Sequence, residues 1–146
     1  MHVSRALFLL VALLAAGCAD PGAGSSDVLG DWYLAEGSAD GVPLPRPTPP
    51  ATLTVGPDEL SGTSFCNHYG STYRLDGSAL AVDGLGGIDM GCEPEVMAAE
   101  TAYLSALGRA DAVAREGGDL LLTGDGVRLR FSPVPPVPDR DLTGTQ

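Results

Sequence analysis

The chain has 146 residues, with 8 arginines, no lysine and 19 acidic residues, and a formal net charge of −11. Such an acidic body lacks the cationic surface that nucleic acids require, and it disfavours lying flat on anionic lipid. The length holds one domain rather than two once its leader is set aside.

Arg5 is the only charged residue before Asp20, and it is followed by the eleven-residue apolar run Ala6 to Ala16. A run this short suits the core of a signal peptide, whereas a membrane span needs about 20 residues. It ends in Leu14-Ala15-Ala16-Gly17-Cys18, which resembles the bacterial lipobox, where small residues precede an obligatory cysteine. Ala15 departs from the usual leucine, which here stands one position earlier as Leu14. The resemblance implies cleavage after residue 17 and lipid on Cys18: diacylglycerol on the thiol and a further acyl chain, such as palmitate, on the freed amine. The alternative is an ordinary cleaved leader that happens to contain a cysteine. Each buried methylene contributes about 0.8 kcal/mol, so two or three chains make a lasting anchor. Residues 18–27 then read as a flexible tether. Removing residues 1–17 removes one arginine and no acid, which leaves seven arginines against 19 acids, a net −12.

Of the three cysteines, Cys66 and Cys92 remain after Cys18 is lipidated. Outside the cytosol an even pair is expected to form a disulfide. Closing a loop of about 26 residues stabilises by roughly 3–4 kcal/mol on the chain-entropy estimate. Zinc on Cys66, His68 and Cys92 is the rival reading, but it lacks an obvious fourth ligand and has an unusual spacing.

Within the domain, residues 28–132, Trp32-Tyr33-Leu34 reads as a first strand and the proline-rich stretch Gly41 to Pro50 as an extended loop. Ala51 to Val55 and Leu60 to Cys66 are expected strands on either side of the turn Gly56 to Glu59. Tyr69 to Leu75 and Ala79 to Val82 form a hairpin around Asp76-Gly77. Gly84 to Gly87 reads as a flexible connection. A helix starts at Pro94 and buries Val96, Ala99, Tyr103, Leu104 and Leu107 on one face, with Gly108 suited to its C-terminal cap. Ala110 to Arg115, Leu120 to Thr123 and Val127 to Ser132 complete a meander with alternating faces. Residues 133–146 are Pro-rich and polar and read as a disordered tail. The fold class is mainly β, in the α+β sense: a small antiparallel β-barrel-like domain of eight or nine short strands with one packed helix.

These residues resemble the META domain family of small bacterial envelope lipoproteins, which includes a heat-shock-associated type. The resemblance rests on Trp32-Tyr33-Leu34, on Gly62 through Cys66-Asn67 to Gly70 and Tyr73, and on Met90-Gly91-Cys92. Glu100 and Tyr103-Leu104 on the helix, and the closing hairpin Leu120 to Phe131, complete it. Phe65 stands where the family usually has glycine. The match spans about 100 residues from Asp31 to Phe131. It implies a compact β domain with one helix, no established catalytic residues, and links to stress tolerance.

No active-site constellation stands out. His68 is the only histidine of the mature chain. Ser61, Ser64, Ser71, Thr72 and Asp89 can be drawn around it on paper as a hydrolytic set, but nearness in sequence is not geometry. Asp58-Glu59 and Glu93/Glu95 read as a turn and a helix start, and no phosphate loop, dinucleotide fingerprint or metal motif is present, so no cofactor is expected. Asn67, His68 and Tyr69, next to the expected bridge, form a candidate binding surface. The expected function is a membrane-anchored, non-catalytic envelope module for stress tolerance or binding. A carrier of a small hydrophobic ligand is the alternative, and a hydrolase using His68 a further one. The acidic charge suggests a basic envelope protein as partner.

Cys18→Ala is expected to abolish lipidation. Metabolic labelling with a fatty-acid analogue should mark the wild type and not the mutant; equal labelling of both would contradict the anchor.

Overall fold

The computed structural model of the chain describes residues 27–137. Alternation at period two sets its pattern: in the last strand Val127, Leu129 and Phe131 are buried, while Arg128 is exposed and Arg130 half-buried. The elements in order are β1 (Gly30–Ala39), β2 (Val42–Pro43), β3 (Thr52–Val55), β4 (Glu59–Thr63) and β5 (His68–Asp76). There follow β6 (Ala79–Gly87), α1 (Pro94–Gly108), β7 (Ala110–Glu116), β8 (Asp119–Gly124) and β9 (Val127–Ser132). All pairings are antiparallel, in the order β1-β3-β4-β5-β6-β7-β8-β9, and β9 returns to pair with β1. Eight strands therefore close into a barrel, and β2 is an extra strand on Ser38 and Ala39 of β1. Closure leaves the barrel strands without the long free edges that template aggregation.

The seam between β6 and β7 is the thinnest. The two strands share the pair Ala79↔Ala112, supported by the Val113 amide donating to the Ser78 carbonyl at 2.9 Å. The helix joins these two strands in sequence and packs against β6, β9 and β1. Its Tyr103 is fully buried and lies edge-on to Phe65, Tyr69 and Phe131. The other end of the barrel is stoppered by the residues just before β1. Val28 is buried, and its carbonyl accepts a hydrogen bond from Trp32 Nε1 at 3.0 Å. The Arg115 guanidinium lies 4.9 Å from the centre of the Trp32 ring and also donates to the Asp27 carbonyl. Between the two plugs the interior is filled, with Leu53, Leu120, Leu129 and Phe131 essentially inaccessible. A residual cavity of about 20 Å³ remains beside Val28, Tyr73 and Val113.

Several boundaries differ from the sequence expectation, for local reasons. The first strand extends from Gly30 to Ala39, well beyond Trp32-Tyr33-Leu34, because it pairs with β3 along its first half and with β9 along its second. The proline-rich stretch is not wholly loop. Asp40 and Gly41 take φ of 52° and 79°, a turn that folds Val42 and Pro43 back on β1. Gly84 to Gly87 is strand rather than flexible connection. A side chain at Gly87 would place Cβ 2.2 Å from the His68 carbonyl oxygen, so glycine permits two strands to cross closely there. Gly108 is the last helical residue rather than a left-handed cap, and Arg109 ends the helix at φ −92°. Of the expected helical face, Ala99, Tyr103 and Leu107 are buried, whereas Val96 and Leu104 are half-buried.

Candidate functional site

The motif residues meet at the end of the barrel that the helix closes. The expected strand Leu60 to Cys66 stops at Thr63, and Ser64 to Asn67 form a turn in which the Ser64 amide donates to the Asn67 carbonyl at 2.8 Å. Phe65 takes φ of 76° in this turn, a left-handed conformation natural to glycine and costly, by about 1–3 kcal/mol, for other residues. This explains why the family usually has glycine there. In this chain the phenylalanine ring packs edge-on to Tyr103, 6.0 Å between centroids, a contact worth about 0.5–1.5 kcal/mol that offsets part of the strain.

Glu100 reaches this turn from α1 and is only 7% exposed. Its carboxylate has no cation beside it; among the described residues its partners are neutral donors. Ser64 Oγ donates to Oε2 at 2.7 Å, the Asn67 amide to Oε2 at 2.8 Å, and Asn67 Nδ2 to Oε1 at 2.8 Å. Burial pushes the carboxyl pKa up, but the donors on Asn67, Ser64 and the Cys66 backbone outweigh it and hold the group below its ordinary value of 4.5. Glu100 is therefore a buried carboxylate at neutral pH.

Asn67 links this carboxylate to the segment before the helix. Its Oδ1 accepts from the Met90 amide at 2.9 Å, and its Nδ2 also reaches the Met90 carbonyl at 3.2 Å. The disulfide between Cys66 and Cys92 joins the same two segments covalently, with Cα atoms 6.2 Å apart. With both thiols in the bridge, the zinc reading loses two of its three ligands, and no metal-holding cluster occurs among the described residues. One turn further along the helix, Tyr103 Oη lies 2.8 Å from Tyr69 Oη, which donates to the Thr52 carbonyl at 2.7 Å. Desolvation raises the pKa of both phenols, so they stay neutral.

The candidate surface Asn67-His68-Tyr69 is thus divided by its own strand. Asn67 and Tyr69 point inward and are 4% exposed, and His68 alone faces solvent. The His68 side chain makes no hydrogen bond or ion pair among the described residues. Ser64, one of the hydroxyls that could be drawn around it, is fully buried and bonded to Glu100. Among the described residues no serine, threonine or aspartate is bonded to the His68 side chain, so no Ser-His-Asp set is assembled there. Ile88 and Met90 lie next to His68 in space, since the Ile88 amide donates to the His68 carbonyl at 3.3 Å, and they are 61% and 59% exposed. Sequence reasoning passed over this pair because isolated apolar residues in a loop give no periodic signal. Cys18 lies outside the described residues.

Geometry and pairing define the class: a closed eight-stranded antiparallel barrel, capped by one helix that is locked to the wall by a buried carboxylate and a disulfide. The META domain profile matches residues 27–135, nearly all of the described chain, and the chain belongs to the META domain family. An NMR structure of a protein from Burkholderia xenovorans is similar, with a TM-score of 0.64 at 28% identity, covering 90% of this chain and 96% of that one. A crystal structure of a DUF4847 family protein from Bacteroides vulgatus shares the fold with a TM-score of 0.58 at 12% identity, covering 78% of this chain and all of that one. Among curated proteins no sequence match was found.

The buried carboxylate makes a specific acid dependence. A group with a depressed folded pKa stabilises the fold above its ordinary value and loses that contribution as pH falls through the folded pKa. Glu100→Gln keeps the shape, loses the charge, and turns an amide toward existing donors. It is expected to cost about 2–3 kcal/mol at pH 7. The gap in Tm between wild type and Glu100→Gln should narrow as pH falls below 4.5, the ordinary value for this carboxyl. A gap that stays constant down to about pH 3 would contradict an ionised Glu100.

Proposed function

We propose that the chain is a lipid-anchored envelope protein whose META domain is a non-catalytic binding module serving stress tolerance. The observation that carries this reading is the use of the motif itself. Cys66, Asn67, Met90, Cys92, Glu100 and Tyr103 are engaged with one another or with backbone and hold the helix on the barrel. A motif occupied in this way specifies a rigid fold, which supports the non-catalytic reading. The lipobox at Cys18 supports the anchor. Strand direction supports an orientation: the chain enters the barrel at Gly30, at the same end as the Asp76–Ala79 and Glu116–Asp119 turns, whereas His68 and Gly87 lie at the other. A tether at the first end turns His68, Ile88 and Met90 away from the membrane. Two exposed apolar side chains on a segment held by a disulfide suit a contact made at low entropic cost. The −11 charge of the full chain favours a basic partner, attracted at low salt and screened over about 8 Å at physiological salt.

Two alternatives meet specific obstacles. A carrier needs a pocket of roughly 300–1,000 Å³, whereas the interior cavity is about 20 Å³. A hydrolase needs a base held by a partner, and His68 has none among the described residues.

In a strain lacking the protein, the wild-type chain is expected to restore growth under envelope stress. Cys18→Ala and the double substitution Ile88→Ser, Met90→Ser should fail to restore it, while His68→Ala should restore it. The double variant changes exposed residues, so its Tm should stay within a few degrees of wild type, which separates lost binding from lost folding. Failure of His68→Ala alone would favour the hydrolase, and full activity of the Ile88/Met90 variant would remove the binding patch.

A further inference from the structure

The chain is acidic, yet three of its eight arginines line one surface cleft. Alternation along β9 sends Arg128 and Arg130 to the outer face of the barrel, and the register places them opposite Ser38 and Glu36 of β1. The turn at Asp40-Gly41 folds the chain back along β1, so that Pro43 walls the cleft and Arg46 stands at its edge. The cleft is open to solvent and has a volume of about 330 Å³, at the small end of the range for ligand sites.

The guanidinium groups have donors to spare. Each carries five N–H donors in a fixed fork. Arg130 donates Nε–H to Asp119 at 2.8 Å and pairs with Glu116 at 3.8 Å, and Arg128 makes one long bond to the same Glu116 at 3.5 Å. Both acids belong to the β7–β8 hairpin, beside the cleft rather than in its lining, so they orient the two arginines while engaging only part of each five-donor fork. Arg46 is exposed and makes no ion pair among the described residues. Among the described residues Glu36 is the only acid lining the cleft, and it stands opposite Arg130.

From this arrangement we propose that the cleft is a binding site for an oxyanion, the phosphate or carboxylate group of a small organic ligand. Guanidinium forks match the geometry of both groups, and charge-assisted bonds of this kind are the stronger ones. The surrounding negative charge sets the size of the ligand. It repels a polyanion along its length, whereas a small anion meets the local cluster of cations. This site lies on the side wall and does not depend on the patch at His68, Ile88 and Met90.

The test uses the full chain labelled with ¹⁵N, titrated separately with inorganic phosphate and with succinate to about 10 mM, against sodium chloride at matched ionic strength. Saturable shifts are expected at Gly37, Ser38, Arg128 and Arg130, with a Kd in the millimolar range that one or two charge-assisted contacts give. Arg46→Ala and Arg128→Ala should each weaken binding at least about fivefold. Arg74→Ala, an exposed arginine on β5 paired with Asp83, should bind as wild type. Saturation by phosphate alone assigns a phosphate ligand, by succinate alone a carboxylate ligand, and by both a general oxyanion site; each upholds the proposal. No saturable shift with either anion, or unchanged affinity in Arg46→Ala and Arg128→Ala, overturns it.

Discussion

A carboxylate buried without a cation is the constraint around which this domain is arranged. Removing a charge from water costs several kcal/mol unless hydrogen bonds replace its hydration. At Glu100 that replacement comes from a serine hydroxyl, an amide side chain and backbone N–H groups, all within one turn of four residues. The turn must take the shape of Ser64 to Asn67, with Phe65 left-handed, for those donors to converge. Asn67 must in turn be oriented, which its bonds to Met90 accomplish, and the disulfide keeps Met90 near. The helix cannot shift along its axis without pulling Glu100 from this cage.

That lock explains how a barrel with a thin seam keeps its shape. Where β6 and β7 pair at Ala79 and Ala112, the backbone holds the wall, and the helix that joins the two strands in sequence packs on β6, β9 and β1. Tyr103, one helical turn from Glu100, enters the aromatic group with Phe65, Tyr69 and Phe131 and fills the volume beneath. A polar cage at the rim and an aromatic plug below it are consequences of two residues spaced three apart on one helix. Beneath them the interior is packed, with a residual cavity of about 20 Å³.

Much of the architecture was legible from the residues. Alternation in Val127 to Phe131, the turn at Asp76-Gly77 and the proline at position 94 each report a local preference, and each element formed where those preferences lie. The pairing of Cys66 with Cys92 followed from the count of cysteines left after Cys18, and the bridge is present. What was not legible was long-range. Gly84 to Gly87 look flexible until the His68 backbone is seen passing beneath Gly87. Glu100 belongs to the motif, but nothing local to the helix shows that donors from a distant turn surround it. Asn67 and Tyr69 look like neighbours of His68 on one surface, yet strand geometry turns alternate residues to opposite sides. The arginine cleft was hidden for the same reason, since Arg46 is distant in sequence from Arg128 and Arg130 and meets them only through the turn at Asp40-Gly41.

The most direct test of the lock is a double-mutant cycle between the helix and the turn. Unfolding free energies of wild type, Asn67→Ala, Glu100→Ala and the double variant, measured in denaturant at pH 7, isolate the coupling of the two side chains. A cage in which each residue satisfies the other predicts a coupling of about 1.5–3 kcal/mol, because the first substitution already forfeits most of what the second removes. Additive effects, within about 0.5 kcal/mol, would show that Glu100 and Asn67 stabilise the fold independently and would contradict the account.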